Sequence, residues 1–123
     1  MKKVTMADMP KEPVPTDSGL FTGTKVHRQR IFQPGESKNF GFGVVHFDAG
    51  SRNKFHKHST DQILVIVDGT GKVATDNEVL TVTKGDVVLI PAGENHWHGA
   101  PDNTSMAHIA LNTAGSETEQ TEP

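Results

Sequence analysis

The chain has 123 residues, a net charge of −3 and a pI near 6.1. That length supports one compact domain with a modest core and excludes two, and the charge gives no electrostatic reason to expect nucleic acid or an anionic membrane as partner. Cysteine is absent, which excludes a disulfide framework, a thiolate metal site and a cysteine nucleophile.

Residues 1–19, beginning "MKKVTMADMPKEPVP", are polar and Pro-rich. They read as an extended arm with a short edge strand at residues 3–6. No apolar stretch follows the two lysines and no run reaches membrane-span length, so a cytoplasmic protein is expected. Between residues 20 and 113 the hydrophobic period is two. "TKVHRQRIF" is a strand. "NFGFGVVHF" alternates, with Phe40, Phe42 and Val44 on one face and Val45 and Phe47 on the other. "DQILVIV" is a near-continuous apolar strand. "GKVATDNEVLTVTKGD" is a hairpin turning at Asp76 and Asn77, followed by a turn at Lys84 and Gly85. "DVVLIPAG" is a strand stopped by Pro91 and Gly93, and "NHWHGA" and "MAHIALN" are two more. The acidic, apolar-poor segment 114–123, ending "GSETEQTEP", is expected to be a disordered tail. Many short strands, Gly-rich turns and no amphipathic helix predict an all-β sandwich or barrel.

Histidine placement follows from strand geometry. Residues i and i+2 share a face, so His56 and His58 point the same way, as do His96 and His98. His108 shares a face with Met106, Ala110 and Asn112, and Gln62 with Leu64 and Ile66. An isolated H-x-H pair on a strand is commonly solvent-facing. Two such pairs on a sheet that closes bring imidazoles together inside it, where they suit Mn, Fe, Ni, Cu or Zn. By parity His46 faces outward, His27 lies on the surface, and Trp97 opposes His96 and His98 as packing.

Two spacings add a family resemblance. Gly50, His56, His58, Gln62 and Gly69 stand at the positions of G-x5-H-x-H-x3-E-x6-G, and Gly85, Pro91, Gly93 and His96 at those of G-x5-P-x-G-x2-H-x3-N. The chain thus resembles a small single-domain cupin over most of residues 22–112, with Gln62 in place of the motif Glu and Ala100 in place of the final Asn. The resemblance implies a six-to-eight-stranded jelly-roll barrel holding one metal ion on His56, His58, Gln62 and His96. The segments "HKHSTDQ" and "PAGENHWHGAPDNTSMAHIALN" are similar to the manganese-dependent bacterial cupin hydroxynitrile lyases and to small cupins of unassigned function. That likeness implies catalytic roles for His98 and His108, and for Asn112 where the group carries Gln. Manganese is the ion it implies, with Fe, Ni or Zn as alternatives.

Gln62 shapes the chemistry expected of the site. A neutral amide oxygen leaves a divalent ion its full charge, which makes the ion harder to oxidise and a stronger Lewis acid. The expected mechanism has a small hydroxyl or carbonyl substrate on the ion. His98 or His108, near its ordinary pKa of about 6.5, accepts or returns the proton. Val45, Phe47, Leu64 and Ile66 form the apolar walls. The competing readings are a cupin dioxygenase, a non-catalytic barrel for a sugar or small molecule, and a sugar-acid isomerase. The outward pair Phe40 and Phe42 predicts a homodimer, with the arm adding to the partner's sheet.

Overall fold

The computed structural model describes residues 1–123. Twelve strands follow one another: β1 (Glu12–Val14), β2 (Phe21–Thr22), β3 (Val26–Arg30), β4 (Phe40–Phe47), β5 (Ser51–Asn53), β6 (His56–His58), β7 (Gln62–Thr75), β8 (Val79–Thr83), β9 (Val87–Ile90), β10 (His96–Ala100), β11 (Met106–Thr113) and β12 (Thr118–Gln120). The helical content is one 3-10 turn at Met6–Asp8. No helix is long and apolar enough to cross a membrane.

All pairings are antiparallel, and the main path runs β1-β3-β4-β11-β7-β10-β5-β2. Strand β7 joins the two sheets of a nearly closed jelly-roll barrel. Its first half pairs with β11 and β9, and its second half with β10 and β8. The change of sheet falls at Gly69, where φ is 70° and a Cβ would stand 1.9 Å from the Ser105 carbonyl oxygen. Only glycine fits there. A bulge at Val67 of β7, opposite the step from Ala107 to His108 on β11, takes up the same bend.

Inward-facing residues alternate along each strand as the pleat requires. Val26, Phe47, Leu64, Ile66, Val73, Val82, Ile90, Ala100 and Met106 form the core. Each large aliphatic side chain buried there stabilises the fold by roughly 1.5–3 kcal/mol. A smaller apolar layer lies outside the first sheet, where Ile31, Val44 and Ala107 pack with Met9, Phe32 and Phe42.

The two ends of the chain depart from expectation. The arm's strand is Glu12–Val14 on β3 of the same chain, and the 3-10 turn follows the residues expected to carry it. Gln29, buried on the outer face of β3, explains the anchoring: its Nε2 donates to the carbonyls of Met6 and Met9, both at 2.9 Å. Its Oε1 accepts from His46 Nε2 at 2.6 Å, so the outward His46 is half-covered. Phe42 is covered by Phe32, ring centroids 6.0 Å apart, leaving Phe40 alone exposed; there is no open aromatic pair. The tail expected to be disordered instead forms β12 on β6. Glu122 beyond it takes a bidentate bond from Arg52 at 2.9 and 3.0 Å. The strand count exceeds the expected six to eight because the arm and tail add edges, the chain breaks between β5 and β6, and the two-residue β2 counts as a strand.

Candidate metal centre and cavity

Strands β6 and β10 meet with His56 directly opposite His96. The break at Lys54 and Phe55 sets up β6, and the Pro91–Gly93 turn, tied by Gly93 N–H to the His58 carbonyl at 2.9 Å, delivers the chain into β10. His56, His58 and His96 each bring one ring nitrogen to a common point, all within 4.8 Å of one another. The rings are oriented by bonds on their far side. His56 Nδ1–H donates to the Lys54 carbonyl at 2.7 Å and His96 Nδ1–H to the Glu94 carbonyl at 2.8 Å. His58 Nδ1–H donates to Thr118 Oγ1 at 2.9 Å. Every Nε2 is therefore left with its lone pair turned inward.

Three polar atoms here are buried without a hydrogen-bond partner: His58 Nε2, His96 Nε2 and the Gln62 side-chain oxygen. Buried acceptors are seldom left unpaired, and acceptors without donors are what a cation completes. Burial pushes the His56 imidazole down to about 3 and lowers those of His58 and His96. Neutral imidazole is the ligating form, so protons compete weakly for the site. The donor set, three imidazoles and an amide oxygen, fits one divalent transition-metal ion.

A cavity of ≈ 440 Å³ opens beside this cluster. His56, His58, Gln62, His98, His108, Asn53 and Asn112 line it, so the residues singled out in the sequence converge, with fully buried His96 just behind the wall. Asn112 stands across the ladder from Gln62. Among the expected apolar walls, Val45 lines the cavity, whereas Phe47, Leu64 and Ile66 lie in the closed core. Leu20, Phe21, Phe32, Phe40, Phe42, Ala110 and Ala114 supply the remaining apolar lining. Strand parity gives a residue's face but not its depth along the barrel, which is why it misplaced three of four.

His98 and His108 form a buried pair, His108 Nε2 standing 2.9 Å from His98 Nδ1. Asn53, which strand parity did not single out, fixes His98. Its Oδ1 accepts the His98 backbone N–H at 2.8 Å, which turns Nδ2 toward the ring, 3.2 Å from Nε2. Neither imidazole titrates near 6.5 as expected. Burial holds His98 well below that value and brings His108 down to about 4. Both rest neutral at pH 7 and share a single hydrogen between them.

Arg28 and Thr118 were also missed. Arg28 shares its strand face with the core residue Val26, which was a legible signal; Thr118 lay in a segment with none. Trp97 is packing, as parity suggested, with the Arg52 guanidinium 5.0 Å above its ring.

Comparison with known proteins points the same way. The family model described as "Cupin domain" matches residues 43–111, more than half of the chain. A protein of Granulicella tundricola named (R)-mandelonitrile lyase is 36% identical over 92 residues, covering 74% of this chain and 70% of that one. An acireductone dioxygenase of a Sulfurihydrogenibium species is 30% identical over 60 residues, 46% of this chain but only 34% of its own. A crystal structure of a cupin-like protein from Thermotoga maritima superposes with a TM-score of 0.82 at 29% identity, covering 94% of this chain and 88% of that one.

Proposed function

This chain belongs to the cupin domain family, and from that premise we propose that it is a metal-dependent enzyme acting on a small hydroxyl or carbonyl compound by hydroxynitrile-lyase-like carbon–carbon cleavage. The observation that carries the reading is the inward-facing set of three imidazole lone pairs and the unpaired Gln62 oxygen on one cavity wall. Bound there, a divalent ion, manganese in this proposal with Fe, Ni or Zn as alternatives, supplies Lewis acidity to a substrate oxygen.

The chain's own residues do the rest. The neutral pair of His98 and His108 takes the proton from a cyanohydrin hydroxyl. As the C–O bond becomes a carbonyl, the C–CN bond breaks and its electrons leave with cyanide, which takes the proton back as HCN. Asn53 positions His98 for this, and Asn112 orients the substrate from the opposite strand. The absence of cysteine fits a cytoplasmic setting. The likeness to acireductone dioxygenases favours oxygen chemistry as a second reading, and the neutral Gln62 weighs against it.

The test is metal-loaded protein with mandelonitrile under argon and in air. Benzaldehyde release above background in both, without oxygen uptake, and at least about 100-fold slower in His108→Ala, is the expected result. Oxygen consumption coupled to turnover would replace this reading with the dioxygenase. Tight binding without turnover would leave a binding barrel.

We also propose that two copies pair, though not through the expected aromatic pair. Strand β9 is an edge, and its Val87 and Leu89 are 64% and 62% exposed beside half-buried Val65, Ile63 and Leu111 on the outer face of the sheet. An apolar edge of this kind is self-complementary about a two-fold axis. Sedimentation should give a dimer for the native chain and a monomer for Leu89→Glu; a monomeric native chain would refute the pairing.

A further inference from the structure

Arg28 takes no part in the proposed cleavage. On β3 it shares a face with Val26 and stands directly across from Val45, which in turn stands across from His108 on β11. The three residues form one inward row, two strand spacings or about 10 Å from end to end. Arg28 lines the cavity. Its Nε is buried and has no hydrogen-bond partner, and its guanidinium enters none of the chain's ion pairs. Glu12 faces it across the β1–β3 ladder, yet it is exposed and makes no ion pair with it.

The rest of the lining offers Arg28 no counter-charge. Arg30 stands at the mouth, and no Asp or Glu lines the cavity at all. A buried N–H donor such as this Nε is costly to leave unmatched, and the half-buried guanidinium holds its remaining donors beside it. Its fork of N–H donors matches the two oxygens of a carboxylate. We infer that Arg28 is the anchor for a carboxylate, so that the cavity takes a small organic acid whose hydroxyl or carbonyl group lies toward the histidines. This names the substrate class of the site proposed above and rests on that cavity being the binding site. A neutral cyanohydrin would then be turned over without using the anchor.

The test compares mandelate with mandelamide, nearly equal in shape and different in charge. Binding is titrated calorimetrically to the full chain, once loaded with manganese and once stripped with chelator. The stripped protein decides, because there no ion competes for the carboxylate. Mandelate is expected to bind it about tenfold or more tightly than mandelamide. Arg28→Gln should bring that ratio to about one, Arg28→Lys should keep part of it, and Arg30→Gln should keep most of it. Equal binding of the two probes to the native chain, or a preference that survives Arg28→Gln, overturns the anchor. If a variant fails to fold, the native-chain comparison still decides for or against it. Manganese content read on the same samples separates the two proposals. A preference without bound metal leaves the anchor standing and removes the metal enzyme, and bound metal without a preference does the reverse.

Discussion

Replacing His96 with alanine is expected to abolish metal binding, from about one divalent ion per chain to a background level. The measurement is elemental analysis of protein purified without a metal-affinity column and then dialysed. The size of the effect follows from the geometry. Three imidazoles share one point, and His96 is the proposed ligand from the opposite strand, fully buried, with its ring held by the Glu94 carbonyl. Without it only His56, His58 and the weak amide oxygen of Gln62 remain, three of the four donors that a first-row ion takes at such a site. The native chain should also melt at higher temperature with metal present, since an ion at about 100 times its Kd stabilises by about 2.7 kcal/mol. His96→Ala should lose that gain whatever its own melting temperature. Gln62→Glu should move the other way and hold the ion more tightly, because a carboxylate adds charge where the amide adds a dipole. Stoichiometric metal in His96→Ala would sink the proposed site.

Deleting residues 116–123 is expected to lower metal affinity by about 10–100-fold without removing any ligand. The segment clamps the strand that carries two of the proposed ligands. Thr118 pairs with His58 and Gln120 with His56 in the β12–β6 ladder. Thr118 Oγ1 accepts from His58 Nδ1, which sets the tautomer and the ring plane. Glu122 is gripped by Arg52 and accepts the Phe55 N–H at 3.0 Å, just before β6. The Arg52 hydrogen bond, rather than burial, holds the Glu122 carboxyl below the usual carboxylate range. Thr118→Val should reproduce about a tenfold share of the loss, and Glu122→Gln a smaller one, since it leaves the His58 bond intact. Titration of manganese into stripped protein reads all three. Wild-type affinity in the shortened chain would show that β6 holds its histidines unaided.

These two effects draw on different kinds of information. The His96 prediction was available from the chain itself. Side chains two apart on a strand face one way because the pleat is a local property, and the His56–His58 and His96–His98 pairs did come together. The strand boundaries at Gly50, Gly85 and Pro91 were legible for the same reason, as turns are set by the residues that make them, whereas Gly69, expected to separate two strands, is a kink inside the single strand β7. The Gln62 substitution and its consequence for charge were likewise in the sequence. Arg28 was legible and overlooked, for an arginine in phase with Val26 on a core strand has to face inward.

The contacts that no local pattern announces are the long-range ones. His58 meets Thr118 across 60 residues, and Arg52 meets Glu122 across 70. The tail is polar and acidic, a composition that buries too little apolar surface to order itself. It orders here because β6 and Arg52 offer a sheet edge and a charge already in place. Depth came from closure too. It put Val45 on the cavity and Leu64 in the core, though both face inward. It also buried His98 and His108 far enough to keep them neutral, where the sequence alone assigns every histidine the same ordinary value. Local order along the chain thus settles which residues face inward and which elements can hold a metal ion. How deep each residue lies, what pairs with it and which protonation state it keeps belong to the fold, because they depend on neighbours that only barrel closure supplies.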